Sequence, residues 1–144
     1  MLKLELLRQK RGALKVLCLG AHSDDIEIGC GGTILRLLEE YNNVEIYWVI
    51  FAAKDQRGSE AKESANLFLS NAGQKTVLIN GFKDGFFPYM GNEIKEYFED
   101  LKEKFSPDLI VTHHRNDLHQ DHRLISDMTW HTFRDHLIFS VDTS

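Results

Sequence analysis

The chain has 144 residues, a net charge of −5 and 42% hydrophobic residues, values that are typical of one ordinary globular domain. The negative charge argues against nucleic acid or an anionic membrane surface as the main partner. The two cysteines, Cys18 and Cys30, lack C-x-x-C spacing, so zinc binding through thiolates is not expected. Residues 1–12 are too charged for a signal peptide or a membrane span, which favours a cytoplasmic protein.

Strand and helix patterns alternate along the chain. The sequence predicts strands over 14–20, 44–52, 76–80 and 109–112, and a fifth strand could begin at 137–141. Helices are predicted between them, over 31–43, 59–73, 92–105 and 121–135. This order is typical of a Rossmann-like three-layer αβα fold with a mainly parallel sheet. In the common strand order 3-2-1-4, the loops after strands one and four meet at the crevice where such folds bind ligands.

The loop after the first strand contains A-H-S-D-D, in which His22 precedes two carboxylates, Asp24 and Asp25. Adjacent carboxylates raise each other's pKa unless a cation offsets their charge, and a divalent metal ion is a natural cation for this purpose. A solvated acidic loop that caps the next helix would explain the two aspartates equally well. This motif alone leaves both interpretations open.

The loop after the fourth strand, residues 113–122, contains four of the seven histidines and two aspartates. His119 and His122 are three residues apart, so they share one face at the start of a helix. Imidazoles and carboxylates together suit zinc or another divalent ion such as Fe²⁺. Because both motifs are expected at the same crevice, the sequence predicts a metal site there.

A-H-S-D-D followed by H-x-x-D-x-H-x-D-H resembles the PIG-L/LmbE-like family of zinc-dependent N-acetylglucosaminyl deacetylases. The likeness includes R-G-S-E after strand two and D-G after strand three, although Ser23 stands where the family usually has proline. The resemblance implies hydrolysis of the N-acetyl group of an amino sugar or its conjugate. Family members usually continue past the last helix found here. We therefore expect one deacetylase domain over 1–144 that is shortened at the C-terminus.

The resemblance also implies roles for individual residues. The three metal ligands would be His22, Asp25 and His122. Asp24 would be the general base for the attacking water, and His119 would stabilise the oxyanion. Asp121 would orient His119, and an N-cap of the last helix is a compatible alternative.

Two further residues match substrate contacts of the family. Arg57 matches a sugar-contacting arginine, and its alternative is a surface ion pair with Glu60. Asp84 lies where family members contact a sugar hydroxyl, and its alternative is a turn residue before Gly85. Three aromatic side chains of the same loop could stack on a sugar ring or belong to the core: Phe86, Phe87 and Tyr89.

Other functions stay open at this point. A receiver-like signalling domain also binds a divalent ion beside an acidic pair after its first strand, but it leaves the histidines of both motifs unexplained. A shortened, inactive deacetylase and a related hydrolase acting on another amide or ester are further alternatives. The apolar segment 137–141 would form an exposed sheet end, so we expect either self-association through it or a disordered apolar tail.

Overall fold

The computed structural model describes residues 12–143, which form five strands and four α-helices. The strands are β1 (Leu14–His22), β2 (Val44–Ala52), β3 (Gln74–Ile79), β4 (Leu109–His113) and β5 (Leu137–Val141). The helices are α1 (Asp25–Glu40), α2 (Asp55–Phe68), α3 (Gly91–Lys104) and α4 (Gln120–Thr132), and a short 3₁₀-helix covers Phe87–Met90. The N-terminal stretch that is too charged for a signal peptide or a membrane span covers residues 1–12. Residues 1–11 of it lie outside the described part of the chain.

The strands form one parallel sheet in the order β3-β2-β1-β4-β5. The prediction of a Rossmann-like αβα fold with strand order 3-2-1-4 is therefore confirmed. The segment 137–141 pairs with β4 from Leu109↔Leu137 to His113↔Val141, so the expected disordered tail is wrong over these residues. Within the described residues, no helix is both long and apolar enough to cross a membrane.

The alternation of side chains along the central strands divides the core into two layers. Val16 and Cys18 pack with α1 and α2, whereas Leu17 and Leu19 pack with α3 and α4. All four side chains are almost completely buried. A strand covered on both faces has few polar residues, which explains the continuous apolar run of β1.

Two predicted helix starts are wrong. The helix α1 begins at Asp25 rather than at residue 31, and α2 begins at Asp55 rather than at residue 59. Gly31 consequently lies inside α1, where an added Cβ atom would be 2.8 Å from the Phe68 ring. This glycine lets α1 and α2 pack closely. Tertiary contact thus offsets the low helix propensity of glycine at this position.

Candidate metal centre

The two His/Asp motifs meet at the carboxyl ends of β1 and β4, which are adjacent strands. His22 ends β1, Asp25 begins α1, and His122 lies in the first turn of α4. The two strand ends are tied together because the Ala21 backbone N–H donates to His113 Nε2 at 2.9 Å. The parallel sheet thereby brings together side chains that are 100 residues apart in the chain.

Three ligand-type atoms form a small triangle at this point. His22 Nδ1 lies 3.1 Å from His122 Nε2 and 3.5 Å from Asp25 Oδ2. The third side, from His122 Nε2 to Asp25 Oδ2, is 3.3 Å. A tetrahedral zinc ion with bonds of about 2.0–2.1 Å has ligand atoms roughly 3.3–3.4 Å apart. The spacing and the chemistry of these donors therefore fit such an ion. We call these three residues the metal centre.

Each histidine of the metal centre has a carboxylate at its outer ring nitrogen. His22 Nε2 lies 3.1 Å from both Asp121 Oδ2 and Asp84 Oδ1. His122 Nδ1 lies 3.1 Å from Asp117 Oδ2. In the neutral rings, these carboxylates hold the hydrogens on the outer nitrogens and leave the inner lone pairs directed into the triangle. Convergent lone pairs of this kind favour a bound cation.

The electrostatics of the metal centre favour positive charge. Burial lowers the pKa of His22, but hydrogen bonds to Asp25 and Asp121 outweigh it and raise this pKa to about 9. Burial also lowers the pKa of His122, and contacts led by Asp25 reverse the shift. Burial would raise the pKa of Asp25, yet hydrogen bonds with the surrounding imidazoles hold it well below its usual range. The carboxylate is therefore ionised at neutral pH.

His113 offers a further nitrogen to the same group of atoms. Its Nε2 lies 3.3 Å from Asp25 Oδ2, and its ring stacks on that of His122 with centroids 3.9 Å apart. This nitrogen already accepts the Ala21 N–H, which occupies its lone pair when the ring is neutral. Burial lowers the pKa of His113, which favours the neutral ring. His113 therefore supports the ring of His122 by stacking.

Asp121 contacts the His119 ring through its backbone N–H, whereas its carboxylate has other partners. Its buried carboxylate accepts the backbone N–H groups of Gly85 at 2.6 Å and Phe87 at 3.1 Å, and it faces His22. The first turn of α4 directs this side chain toward the 81–90 loop. Asp121 thus orients His22 and anchors that loop.

His119, and not Asp121, is the N-cap of α4. Its Nδ1 accepts the Asp121 backbone N–H at 3.1 Å. In a neutral ring the hydrogen is then on Nε2, which remains able to donate. The rings of His119 and His22 have centroids 4.7 Å apart, so this donor lies beside the metal centre.

Asp24 stands at the N-cap position of α1 but its carboxylate makes no capping hydrogen bond. The interpretation of the acidic pair as a simple helix cap is therefore not supported for either residue, because Asp25 is buried in the metal centre. Asp24 is exposed, next in the chain to a member of that centre. This position leaves its carboxylate accessible to a substrate and to water.

The two expected substrate contacts, Arg57 and Asp84, line the same open pocket of about 230 Å³ at the ends of β2 and β3. Glu60, the alternative partner of Arg57, accepts instead from Gln56 Nε2 at 2.8 Å. Gly85 has a φ of 82°, so the turn expected after Asp84 is present as well. The turn and the pocket position of Asp84 are compatible.

The three aromatic side chains of the 81–90 loop have different surroundings. Phe87 is fully buried and its ring centroid lies 5.9 Å from that of His22, so it is a core residue that supports the metal centre. Phe86 and Tyr89 are 44% and 80% exposed. Only these two remain available to a ligand.

Asp117 was not among the predicted site residues, because it is one polar residue among many in its loop. Its Oδ1 accepts the His119 N–H at 2.8 Å, and its Oδ2 faces His122. Its position five residues before His122 was the available signal. Two lysines of the pocket, Lys54 and Lys83, carried no recognisable motif and were not singled out.

Residues 17–133 match the family model described as PIG-L: GlcNAc-PI de-N-acetylase, and the chain belongs to this family. The chain is 30% identical over 114 residues to the uncharacterized deacetylase YaiS of Escherichia coli strain K12. That match covers 74% of this chain and 61% of YaiS, so the chain spans about three fifths of that relative's length. The match does not favour the receiver-like alternative.

Solved structures with a similar fold include the conserved protein TT1542 from Thermus thermophilus. The TM-score is 0.65 at 21% identity, with 91% of this chain and 67% of TT1542 covered. Another is the N,N'-diacetylchitobiose deacetylase from Pyrococcus horikoshii, with a TM-score of 0.59 at 24% identity and coverage of 83% and 49%. At these identities the likeness establishes the fold alone.

Proposed function

We propose that this chain is a metal-dependent N-deacetylase that acts on an N-acetylated amino sugar or its conjugate. The observation that carries the proposal is the triangle of ligand atoms from His22, Asp25 and His122, with sides of 3.1, 3.3 and 3.5 Å. Carboxylates behind both imidazoles support it, since such partners are typical of metal-binding histidines. Family membership supports deacetylation as the reaction.

Zinc is the ion that we propose, because two imidazoles and one carboxylate match its usual donors, although Fe²⁺ accepts the same set. A bound ion of this kind would polarise the amide carbonyl and lower the pKa of a water molecule. The three protein ligands would leave room for substrate in the coordination sphere.

The reaction that we propose is R–NH–CO–CH₃ + H₂O → R–NH₃⁺ + CH₃–COO⁻. Asp24 would take one proton from the attacking water as its oxygen bonds to the carbonyl carbon. The Nε2–H of His119 would donate to the oxyanion that forms on the carbonyl oxygen. When the C–N bond breaks, Asp24 would return its proton to the leaving amine, and the second proton of the water would pass from the acetic acid to the amine. Asp117 and Asp121 would hold the two imidazoles in place and take no part in the proton transfer.

The experiment that tests the proposal is amine release from a panel of N-acetylated sugars by zinc-loaded protein. We expect one amine and one acetate for each amide hydrolysed, loss of activity after chelation, and recovery on adding zinc. A protein that binds one zinc ion per chain and releases amine from no member of the panel would contradict the proposal. That result would favour the alternative of an inactive family member.

A further inference from the structure

The pocket beside the metal centre carries a local excess of positive charge. Three cationic side chains line it, and Asp84 is the one carboxylate among its lining residues. The formal sum of +3 and −1 is +2 for the pocket, in a chain whose net charge is −5. The three cationic residues are Lys54, Arg57 and Lys83. We call these three residues, together with Asp84, the cationic pocket.

The three cations have no carboxylate partner among residues 12–143. The stem of Lys54 lies against Gly81, where an added Cβ would be 2.9 Å from Lys54 Cε. The Lys83 ammonium lies 3.9 Å from the centroid of the Phe86 ring. Elsewhere on the surface, Arg36 and Lys95 each pair with a glutamate one turn away. Unneutralised cations gathered in a concave site produce a potential that attracts an anion.

The cationic pocket and the metal centre share a wall. Asp84 lines the pocket, and its Oδ1 is 3.1 Å from His22 Nε2, the outer nitrogen of a residue of the metal centre. A molecule whose amide is at the metal centre therefore has its remaining groups within reach of the pocket. The two features belong to one substrate-binding surface.

We propose that the substrate is an anionic N-acetyl amino sugar, and that Lys54, Arg57 and Lys83 bind its phosphate or carboxylate group. The inference rests on the proposed deacetylase function. Arg57 supplies the planar fork of donors that matches oxygen pairs of either anion, and the lysines supply point charges. A phosphomonoester carries about −1.5 to −2 charges at pH 7, which matches the excess charge of the pocket.

The test compares an uncharged N-acetyl sugar with N-acetyl sugars that carry an anionic group. Amine release is measured with N-acetylglucosamine, its 1-phosphate and 6-phosphate, and N-acetylmuramic acid, which carries a carboxylate. We expect kcat/KM for at least one anionic sugar to exceed that for N-acetylglucosamine by about tenfold or more. The two phosphates compare two positions on the ring, and N-acetylmuramic acid offers a carboxylate in place of a phosphate. Equal kcat/KM for neutral and anionic sugars would overturn the inference and leave the proposed function intact.

A double variant, Lys54→Met with Lys83→Met, tests whether the cationic pocket causes the preference for anionic sugars. The ratio of anionic to neutral kcat/KM should fall about tenfold and its salt dependence should weaken. The matched control is Lys62→Met with Lys102→Met, which removes two exposed lysines outside the pocket and should keep the ratio. A ratio that falls equally in both variants would reflect net charge and would overturn the assignment.

Binding of inorganic phosphate to the zinc-loaded protein gives a measurement independent of turnover. Titration calorimetry should detect phosphate binding that the Lys54/Lys83 double variant weakens at least about fivefold and the control variant does not. If no sugar yields amine, the proposed function fails, and phosphate binding still decides whether the pocket binds anions. Phosphate affinity that is identical in all three proteins would place the anion elsewhere and overturn the inference.

Discussion

The metal centre and the cationic pocket lie side by side at the carboxyl ends of the strands, but their side chains are held in different ways. In the metal centre, Asp25 and His122 are buried, and each contacts several protein groups. In the cationic pocket, Lys54, Arg57 and Lys83 are exposed and lack ion-pair partners within the described chain. Groups that hold a metal and perform chemistry must be positioned before substrate arrives, because small displacements reduce catalysis strongly. Charged groups that recognise one end of a substrate can adjust on binding.

The largest expected effect is the loss of the metal from a centre that lacks one ligand. Asp25→Ala or His122→Ala should reduce bound zinc from one ion per chain to a small fraction, because a carboxylate or an imidazole cannot be replaced by a methyl group. Elemental analysis of the purified variants measures this. His131→Ala, which removes an exposed histidine of α4, is the matched control and should keep the zinc. Full zinc content in either ligand variant would exclude that residue as a ligand.

The next effect separates chemistry from metal binding within the same centre. Asp24→Ala should keep the zinc and lose about 10²-fold or more in kcat, because it removes the proton acceptor. His119→Ala should also keep the zinc and lose roughly 10²–10³-fold, since it removes one oxyanion donor. Zinc content and kcat are measured on the same preparations. If Asp24→Ala empties the site, the roles of the two adjacent aspartates are reversed.

A smaller effect is expected from the carboxylate that orients His122. Asp117→Asn removes the charge behind this imidazole and should weaken zinc affinity by about 10–100-fold. Competition with a chromophoric chelator measures the affinity, and Asp100→Asn on the exposed side of α3 is the control. Unchanged zinc affinity in Asp117→Asn would mean that stacking on His113 is sufficient to hold the ring.

Effects on folding stability, rather than on activity or metal affinity, sharpen the contrast between buried and exposed groups. Asp121→Ala leaves the buried N–H of Phe87 and the outer nitrogen of His22 without this partner, so the free energy of unfolding should fall by about 3 kcal/mol. Arg57→Ala removes an exposed side chain with no ion pair in the described structure. This variant should change the free energy of unfolding by less than about 0.5 kcal/mol. Urea unfolding of the chelated proteins gives both values. Equal losses would mean that Arg57 also supports the fold.

The sequence predicted the sheet well because its strands are continuous apolar runs between turn signals. The strand β2 was predicted with its observed limits, Val44–Ala52, and the segment at which a fifth strand could begin is β5, Leu137–Val141. The starts of α1 and α2 were predicted less well. There, the helix begins within a polar or glycine-containing stretch whose local propensity favours a loop, and contacts such as Gly31 against Phe68 decide the outcome.

The sequence by itself determined the family, the αβα architecture and the His/Asp motifs, because these depend on residue types at short spacings along the chain. Tertiary structure alone decided which carboxylate contacts the outer nitrogen of which imidazole. Asp121 faces His22, which is 99 residues away in the chain, and Asp117 faces His122. It also gathered Lys54 and Lys83 around one pocket, although they lie on different loops. Such pairings depend on the direction of side chains at the ends of neighbouring strands, and spacing along the chain does not encode that direction.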